Sequence, residues 1–242
     1  MENAPNRLRA IITGASSGIG KATTLAFASS GIDLCLVSRD QAKLQQVADL
    51  ASEYGGQVKI VSTDLANLST VQTVIKAIAE DFGPIDILVN NAGMGYTNLL
   101  KDTSLEDWQK VLDLNLTSVF QCVMGILPSM RERGKGTIVN VASIAASNFF
   151  PEWGLYSVSK SALVTFGECL AIEERANGIR VTTISPGAVN TPIWETETVQ
   201  AYFDKSAMLT PETVAQTILH TVLLPQGAVV EKLTIAPSGG SL

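Results

Sequence analysis

Apolar residues in this chain fall into two kinds of run that alternate from end to end. Short runs, most of them rich in Val, Ile and Leu, occupy 9–13, 33–38, 57–63, 85–90, 136–142, 179–185 and 232–235. Longer stretches with apolar positions at helical spacing lie between them, at 18–29, 41–53, 68–82, 105–133, 155–176 and 211–223. A strand with one wet face alternates apolar and polar residues, whereas a strand covered on both faces is apolar almost throughout, and most of the short runs are of the second kind. The alternation predicts an α/β fold: a doubly wound, seven-stranded parallel sheet with right-handed crossovers and helices on both faces. No repeat, low-complexity tract or linker divides the chain, so residues 1–242 read as a single domain. Only 186–210 is long and without a clear element; it carries Trp194, Tyr202, Phe203 and Met208, and a mobile loop or short helices are expected there.

Composition narrows the classes. A chain of 242 residues, 46% hydrophobic, can bury roughly 70–75% of its unfolded surface without metal or disulfide. The formal charge is −6 with no Lys/Arg run, which leaves no footprint for nucleic acid. The first residues, Met1 to Arg9, are polar and acidic where a secretory signal would be apolar. The apolar stretches 119–127 and 162–172 are interrupted by Gln121, Thr165 and Glu168 and fall short of the roughly 18–20 residues that span a bilayer, so no membrane partner is expected. Cys35, Cys122 and Cys169 stand apart in apolar surroundings with no CxxC pair, as reduced thiols in the core of a cytoplasmic protein would. His220 is the only histidine; no metal is expected.

Candidate chemistry begins where the first strand run ends, in Thr13-Gly14-Ala15-Ser16-Ser17-Gly18-Ile19-Gly20. A glycine there permits a tight turn, and the following glycines let a helix N-terminus approach a pyrophosphate, which its N–H groups and dipole favour. The alternative is a glycine-rich turn without a ligand, disfavoured by the strand before it and the helix after it. Tyr156 and Lys160 lie four apart at the start of a helix, so they share one face with about 6 Å of rise between them. A nearby ammonium would favour the tyrosinate and make Tyr156 a general acid and base. Ser143, at the end of the fifth run, is placed to hydrogen-bond an oxygen where negative charge develops. Taken singly, each has a plainer reading: a helix-face pair, a strand-end turn residue.

Taken together, T-G-x-x-x-G-x-G, Asn90-Asn91-Ala92-Gly93, Asn115, Ser143, Tyr156-x-x-x-Lys160 and Pro186-Gly187 stand in an order and context that resembles the short-chain dehydrogenase/reductase family over nearly the whole chain. The resemblance implies a Rossmann fold and hydride transfer between a nicotinamide cofactor and a carbonyl or alcohol. It implies Asn115, Ser143, Tyr156 and Lys160 as catalytic residues, with Lys160 also on the nicotinamide ribose and Asn115 supporting a water chain to Lys160. It implies cofactor contacts from Gly14, Ser16, Ser17, Gly18, Ile19, Gly20, Asp64, Leu65, Asn91, Ala92, Gly93, Tyr156, Lys160, Pro186, Gly187, Val189 and Thr191. A homodimer or homotetramer built on the two long helices is implied as well.

Cofactor choice turns on the end of the second strand run, where a carboxylate would bind both ribose hydroxyls and repel a 2′-phosphate. This chain has Ser38 followed by Arg39, a planar cation suited to phosphate, so NADPH is preferred over NADH. Against this stand Ser17, where many NADP-using relatives carry a basic residue, Asp40 beside Arg39, and the reading of Arg39 as a solvated loop charge. Asp64 has the alternative of capping the next helix. For the small-molecule substrate the candidates are Ile144, Ala145, Phe150, Trp153 and Trp194, with Met94, Gly95, Tyr96, Asn148, Phe149, Ile193, Tyr202, Phe203 and Met208 around them. No Arg or Lys falls between Ser143 and Tyr156, which favours an uncharged, fairly bulky carbonyl compound. A 3-oxoacyl-carrier-protein reductase shares these motifs; Met94-Gly95-Tyr96-Thr97 departs from the I-T-R-D-like stretch such reductases often carry. A non-catalytic NADP sensor or scaffold is the alternative of another class, and the presence of Ser143, Tyr156 and Lys160 together argues against it.

Overall fold

A computed structural model describes residues 7–201 and 204–240. Its strands are β1 (Arg9–Thr13), β2 (Asp33–Ser38), β3 (Val58–Ser62), β4 (Ile87–Asn90), β5 (Gly136–Val141), β6 (Ile179–Pro186) and β7 (Lys232–Ile235). Its helices are α1 (Gly18–Ser29), α2 (Gln41–Ser52), α3 (Val71–Phe82), α4 (Leu105–Leu112), α5 (Ser118–Arg133), α6 (Gly154–Glu174) and α7 (Pro211–Val222). The strands form one parallel sheet in the order β3-β2-β1-β4-β5-β6-β7.

Alternation along each strand sends successive side chains to opposite faces. Ala10 and Ile12 of β1 join α1, α2 and α7 in one apolar layer, through Phe27, Leu44 and Ile218 among others. Ile11 faces the other way, into a layer with α3, α5 and α6 built on Ile75, Val123, Ile126 and Leu170. Both layers exclude water, which is why the central strands are apolar at nearly every position. On the second layer Arg131 of α5 donates to the buried Glu174 of α6 (Nε to Oε2, 2.8 Å), and this guanidinium holds the Glu174 carboxyl below its usual range.

The pattern at 105–133 hid a break. Leu105–Arg133 is long and apolar enough, by length and composition alone, to cross a bilayer. It consists of α4 and α5 joined by a π turn over Asp113–Thr117, with Val123, Ile126, Leu127 and Met130 turned into the core. Cys35 and Cys122 are buried, but Cys169 is exposed: it falls on the outer side of α6, so the expectation of three core thiols fails for this one. The 186–210 segment holds short 3₁₀ turns at Pro192–Glu195 and Lys205–Ala207; Tyr202 and Phe203 lie outside the described residues.

Because β1 lies between β2 and β4, the chain reverses its direction of travel across the sheet there. A crevice opens outside the carboxyl ends of these strands, where ligands bind in sheets of this type. The glycine turn and the Asn90–Gly93 segment both end at that crevice.

Candidate active site

The glycine turn is shaped by neighbours from β4. Gly14 and Gly18 have φ of 65° and 51°. A Cβ on Gly20 would overlap the Gly14 carbonyl oxygen and stand 2.6 Å from the Asn91 amide nitrogen, so only glycine permits this close turn. Asn91 Nδ2 donates to the carbonyls of Thr13 (3.0 Å) and Gly14 (3.2 Å), and the N–H groups of Asn91 and Ala92 both donate to Thr13 Oγ1 at 3.0 Å. The side chain of Ser17, at the N-cap of α1, makes no capping bond, which leaves the first N–H groups of that helix for a ligand.

These residues fit a dinucleotide that ends in a phosphate. Ser16 and Ser38 bring their hydroxyls together at 2.9 Å beside the exposed Arg39. No carboxylate among the described residues pairs with the Arg39 guanidinium. Asp40 has partners of its own: its Oδ1 accepts from Lys43 N (3.0 Å) as the cap of α2 and its Oδ2 is 3.4 Å from Lys43 Nζ, and that backbone bond holds its carboxyl low. Asp64 lies at the exposed end of β3, accepting from Ala66 N at 3.0 Å, and so closes a turn; the N-cap of α3 is Thr70, six residues later, so Asp64 does not cap that helix. Leu65 is buried beneath it.

Ser143, Tyr156 and Lys160 converge beyond the ends of β5 and β6. Ser143 is extended, with Oγ accepting from Ala145 N at 3.1 Å. Burial raises the Tyr156 phenol above its ordinary value, and a hydrogen bond with Ser143 pulls the other way. Lys160 is 5% exposed and its Nζ donates to the Val141 carbonyl (3.0 Å), 5.8 Å from the centre of the Tyr156 ring. Burial lowers the Lys160 pKa to about 8. The expected lowering of the phenol by a neighbouring ammonium is therefore not the dominant effect: the lysine is held to the strand, and burial sets the direction for Tyr156. Asn115 is fully buried in the π turn. Its Oδ1 accepts from Met94 N (2.8 Å) and its Nδ2 donates to Met94 O (3.0 Å) and Ser159 Oγ (3.0 Å). The amide thus fixes the chain just after Gly93, beside Lys160.

A cavity of about 420 Å³ opens over Ser143 and Tyr156. All five substrate candidates line it: Ile144, Ala145, Phe150, Trp153 and Trp194. So do Ile19, Pro186, Gly187, Val189 and Thr191 from the cofactor side, together with Ile193. Met94, Gly95, Asn148, Phe149 and Met208 are not on its wall, and Tyr96 is a core residue, packed with Val111 and Leu155 while its hydroxyl donates to Asp107 at 3.1 Å. Gly95 acts indirectly: Thr198 Oγ1 donates to Gly95 O (2.8 Å), Thr97 N to Thr198 O (2.9 Å) and Gln200 N to Thr97 Oγ1 (2.7 Å), which stitches the 192–201 loop down over the cavity. Sequence reasoning missed Glu152 and Gln200, which also line it; neither carries a motif that marks it.

A sequence model described as short chain dehydrogenase matches residues 9–201. An uncharacterized oxidoreductase of Staphylococcus haemolyticus is 35% identical over 94% of this chain and 96% of its own. The glycine betaine reductase of Emericella nidulans is 32% identical over 94% of this chain, which spans only 18% of that protein's length. Among solved structures, an alcohol dehydrogenase of Thermococcus sibiricus complexed with 5-hydroxy-NADP aligns with a TM-score of 0.89 and 27% identity, covering 98% of this chain and 99% of that one. The L-sorbose reductase of Gluconobacter frateurii, complexed with NADPH and L-sorbose, gives 0.88 and 30%, covering 98% of both chains.

Proposed function

Since this chain belongs to the short-chain dehydrogenase/reductase family, an oxidoreductase family, we propose that it transfers a hydride between NADP(H) and the carbonyl or secondary alcohol of a fairly bulky substrate, uncharged around its reacting carbon. The observation that carries this reading is the convergence of Ser143 and Tyr156 on the wall of an aromatic-lined cavity that adjoins the glycine turn, with the buried Lys160 ammonium 5.8 Å from the Tyr156 ring centre. NADPH, when bound, supplies the hydride. The rest falls to the protein. Ser143 Oγ orients the substrate oxygen and stabilises the charge that develops on it. Tyr156, its phenol pushed above the ordinary value by burial, delivers the proton that completes the alcohol; in the reverse direction the same oxygen removes it. Lys160 would hold the ribose and keeps a positive charge near the phenol, and Asn115 positions the Met94 backbone beside it. Arg39, with Ser16 and Ser38, would hold the 2′-phosphate, and the NADP-bound and NADPH-bound structural neighbours support NADP use.

The relatives' names range from a sugar reductase to a betaine reductase, so membership alone does not choose the substrate. The wall of Phe150, Trp153 and Trp194 favours a ketone with aromatic or alkyl arms over an acyl thioester. The reading extends to assembly and location. Phe120 (46% exposed) on α5 and Ile172 (72%) on α6 supply an apolar face for a symmetric homodimer or homotetramer, and three free cysteines suit the reducing cytoplasm.

The test is an absorbance assay of NADPH and NADH oxidation against aryl ketones, alkyl ketones and acetoacetyl thioesters. A bulky ketone with NADPH is expected to give the highest kcat/KM, and Tyr156→Phe to lower kcat at least a hundredfold. Acetoacetyl thioesters as the best substrates would transfer the assignment to the acyl-carrier reductase, and full activity of Tyr156→Phe would refute the proton role.

A further inference from the structure

One corner of the cavity has chemistry that hydride transfer does not use. Glu152 lines it with φ at 68°, the single non-glycine residue at positive φ among the described residues. That conformation costs a residue with a Cβ on the order of 1–2 kcal/mol, and glycine or asparagine would adopt it more readily. The backbone is nonetheless held there, with Asn98 N donating to the Glu152 carbonyl at 2.8 Å. Glu152 is exposed, and an acidic residue kept at a strained position on the rim of a cavity points to a ligand that needs it.

The neighbouring side chains say which kind. The rings of Trp153 and Trp194 meet at 64° with centroids 5.7 Å apart, and Phe150 adds a third aromatic wall. Both indoles are fixed: Trp194 Nε1 donates to Val189 O at 2.7 Å, and Trp153 packs edge-on against Tyr156 at 5.3 Å. Among the described residues lining the cavity there is no Lys, Arg or His, and Glu152 is the only carboxylate. Steeply angled aromatic faces carry negative quadrupoles, and with a carboxylate beside them they attract a cation of low hydration, best of all a substituted ammonium.

We propose that this corner binds an ammonium group of the substrate, so that the carbonyl compound reduced is an amino ketone or amino aldehyde, and the alcohol oxidised an amino alcohol. The inference rests on the hydride-transfer reading for where the reacting carbon lies and adds a charge on the remote arm. A substrate carboxylate would meet no cation on the wall, so zwitterionic amino acids fit less well than amino alcohols.

A matched pair tests it: an aryl ketone bearing a trimethylammonium arm and the same ketone with a tert-butyl arm, both assayed with NADPH. The wild-type protein should prefer the ammonium ketone in kcat/KM by about tenfold, and Glu152→Gln should lose most of that preference, chiefly through KM. Glu152→Gly, which also relaxes the backbone, should lose it equally while raising the thermal midpoint. A preference for the tert-butyl ketone, or one that survives both substitutions, overturns the proposal. Calorimetric titration with tetramethylammonium chloride reads the corner without turnover. Saturable binding that Glu152→Gln weakens, with neither ketone reduced, upholds the ammonium site and places the failure in the hydride-transfer reading; no binding and no preference removes the site.

Discussion

Lys160 holds its ammonium among apolar groups with one carbonyl partner, and its pKa of about 8 lies below the ordinary 10.5. The folded state therefore binds a proton less readily than the unfolded chain. Below pH 8 the protein carries the full penalty of a buried charge, and between pH 8 and 10.5 the penalty fades as the folded protein releases that proton first. A shift of this size corresponds to roughly 3 kcal/mol, of which the lost bond to Val141 would take back about 1 kcal/mol on substitution. Lys160→Met should accordingly be inactive yet more stable by about 2 kcal/mol in urea unfolding at pH 7, with the difference shrinking by pH 10. A difference independent of pH would show that burial of the charge is not its source. The same residue was legible in the sequence because its spacing from Tyr156 is fixed by the helix. Glu152 was not legible: its strained backbone depends on a bond from Asn98, more than fifty residues earlier, and no local pattern announces it. Asn115 was legible as a candidate; that its amide braces Met94 from a π turn was not.

Among the elements, strands were easiest to read, because burial on both faces leaves continuous apolar runs whose limits shift by only a residue or two. The start of α3 moved from 68 to 71, since Asp64, Asn67 and Ser69 use their side chains to close turns on the way into it. The π turn at Asp113–Thr117 was invisible because one extra residue per turn scarcely disturbs an apolar pattern read by eye. The 186–210 segment, expected to be a mobile loop or short helices, holds short 3₁₀ turns, but the fastening of 192–201 was not legible. That fastening depends on Gly95, where a Cβ would stand 2.7 Å from Val199 Cγ2. Gly95→Val should lift the loop without disturbing the sheet: the ketone KM should rise about tenfold and cleavage by protease within 192–201 should quicken, while the urea midpoint changes little. A variant with unchanged KM and unchanged cleavage would mean that the loop is seated by other contacts.

At the scale of the molecule, the two apolar layers account for most of the core, yet Phe120, Val158 and Ile172 remain exposed on α5 and α6. Light scattering at micromolar concentration should return at least twice the 25.7 kDa of one chain, and Phe120→Glu should shift that mass downward. A monomeric mass for the unsubstituted protein would leave the exposed face without its proposed partner. The sheet order carries a further consequence for how the protein is made. The bonds that shape the glycine turn join Thr13 to Asn91 and Ala92, 78 and 79 positions later, and β1 has an unsatisfied edge until β4 arrives beside it. A nascent chain that has released only its first three strands thus holds the sequence of the glycine turn but not the bonds that shape it, which can form only after the fourth strand has left the ribosome.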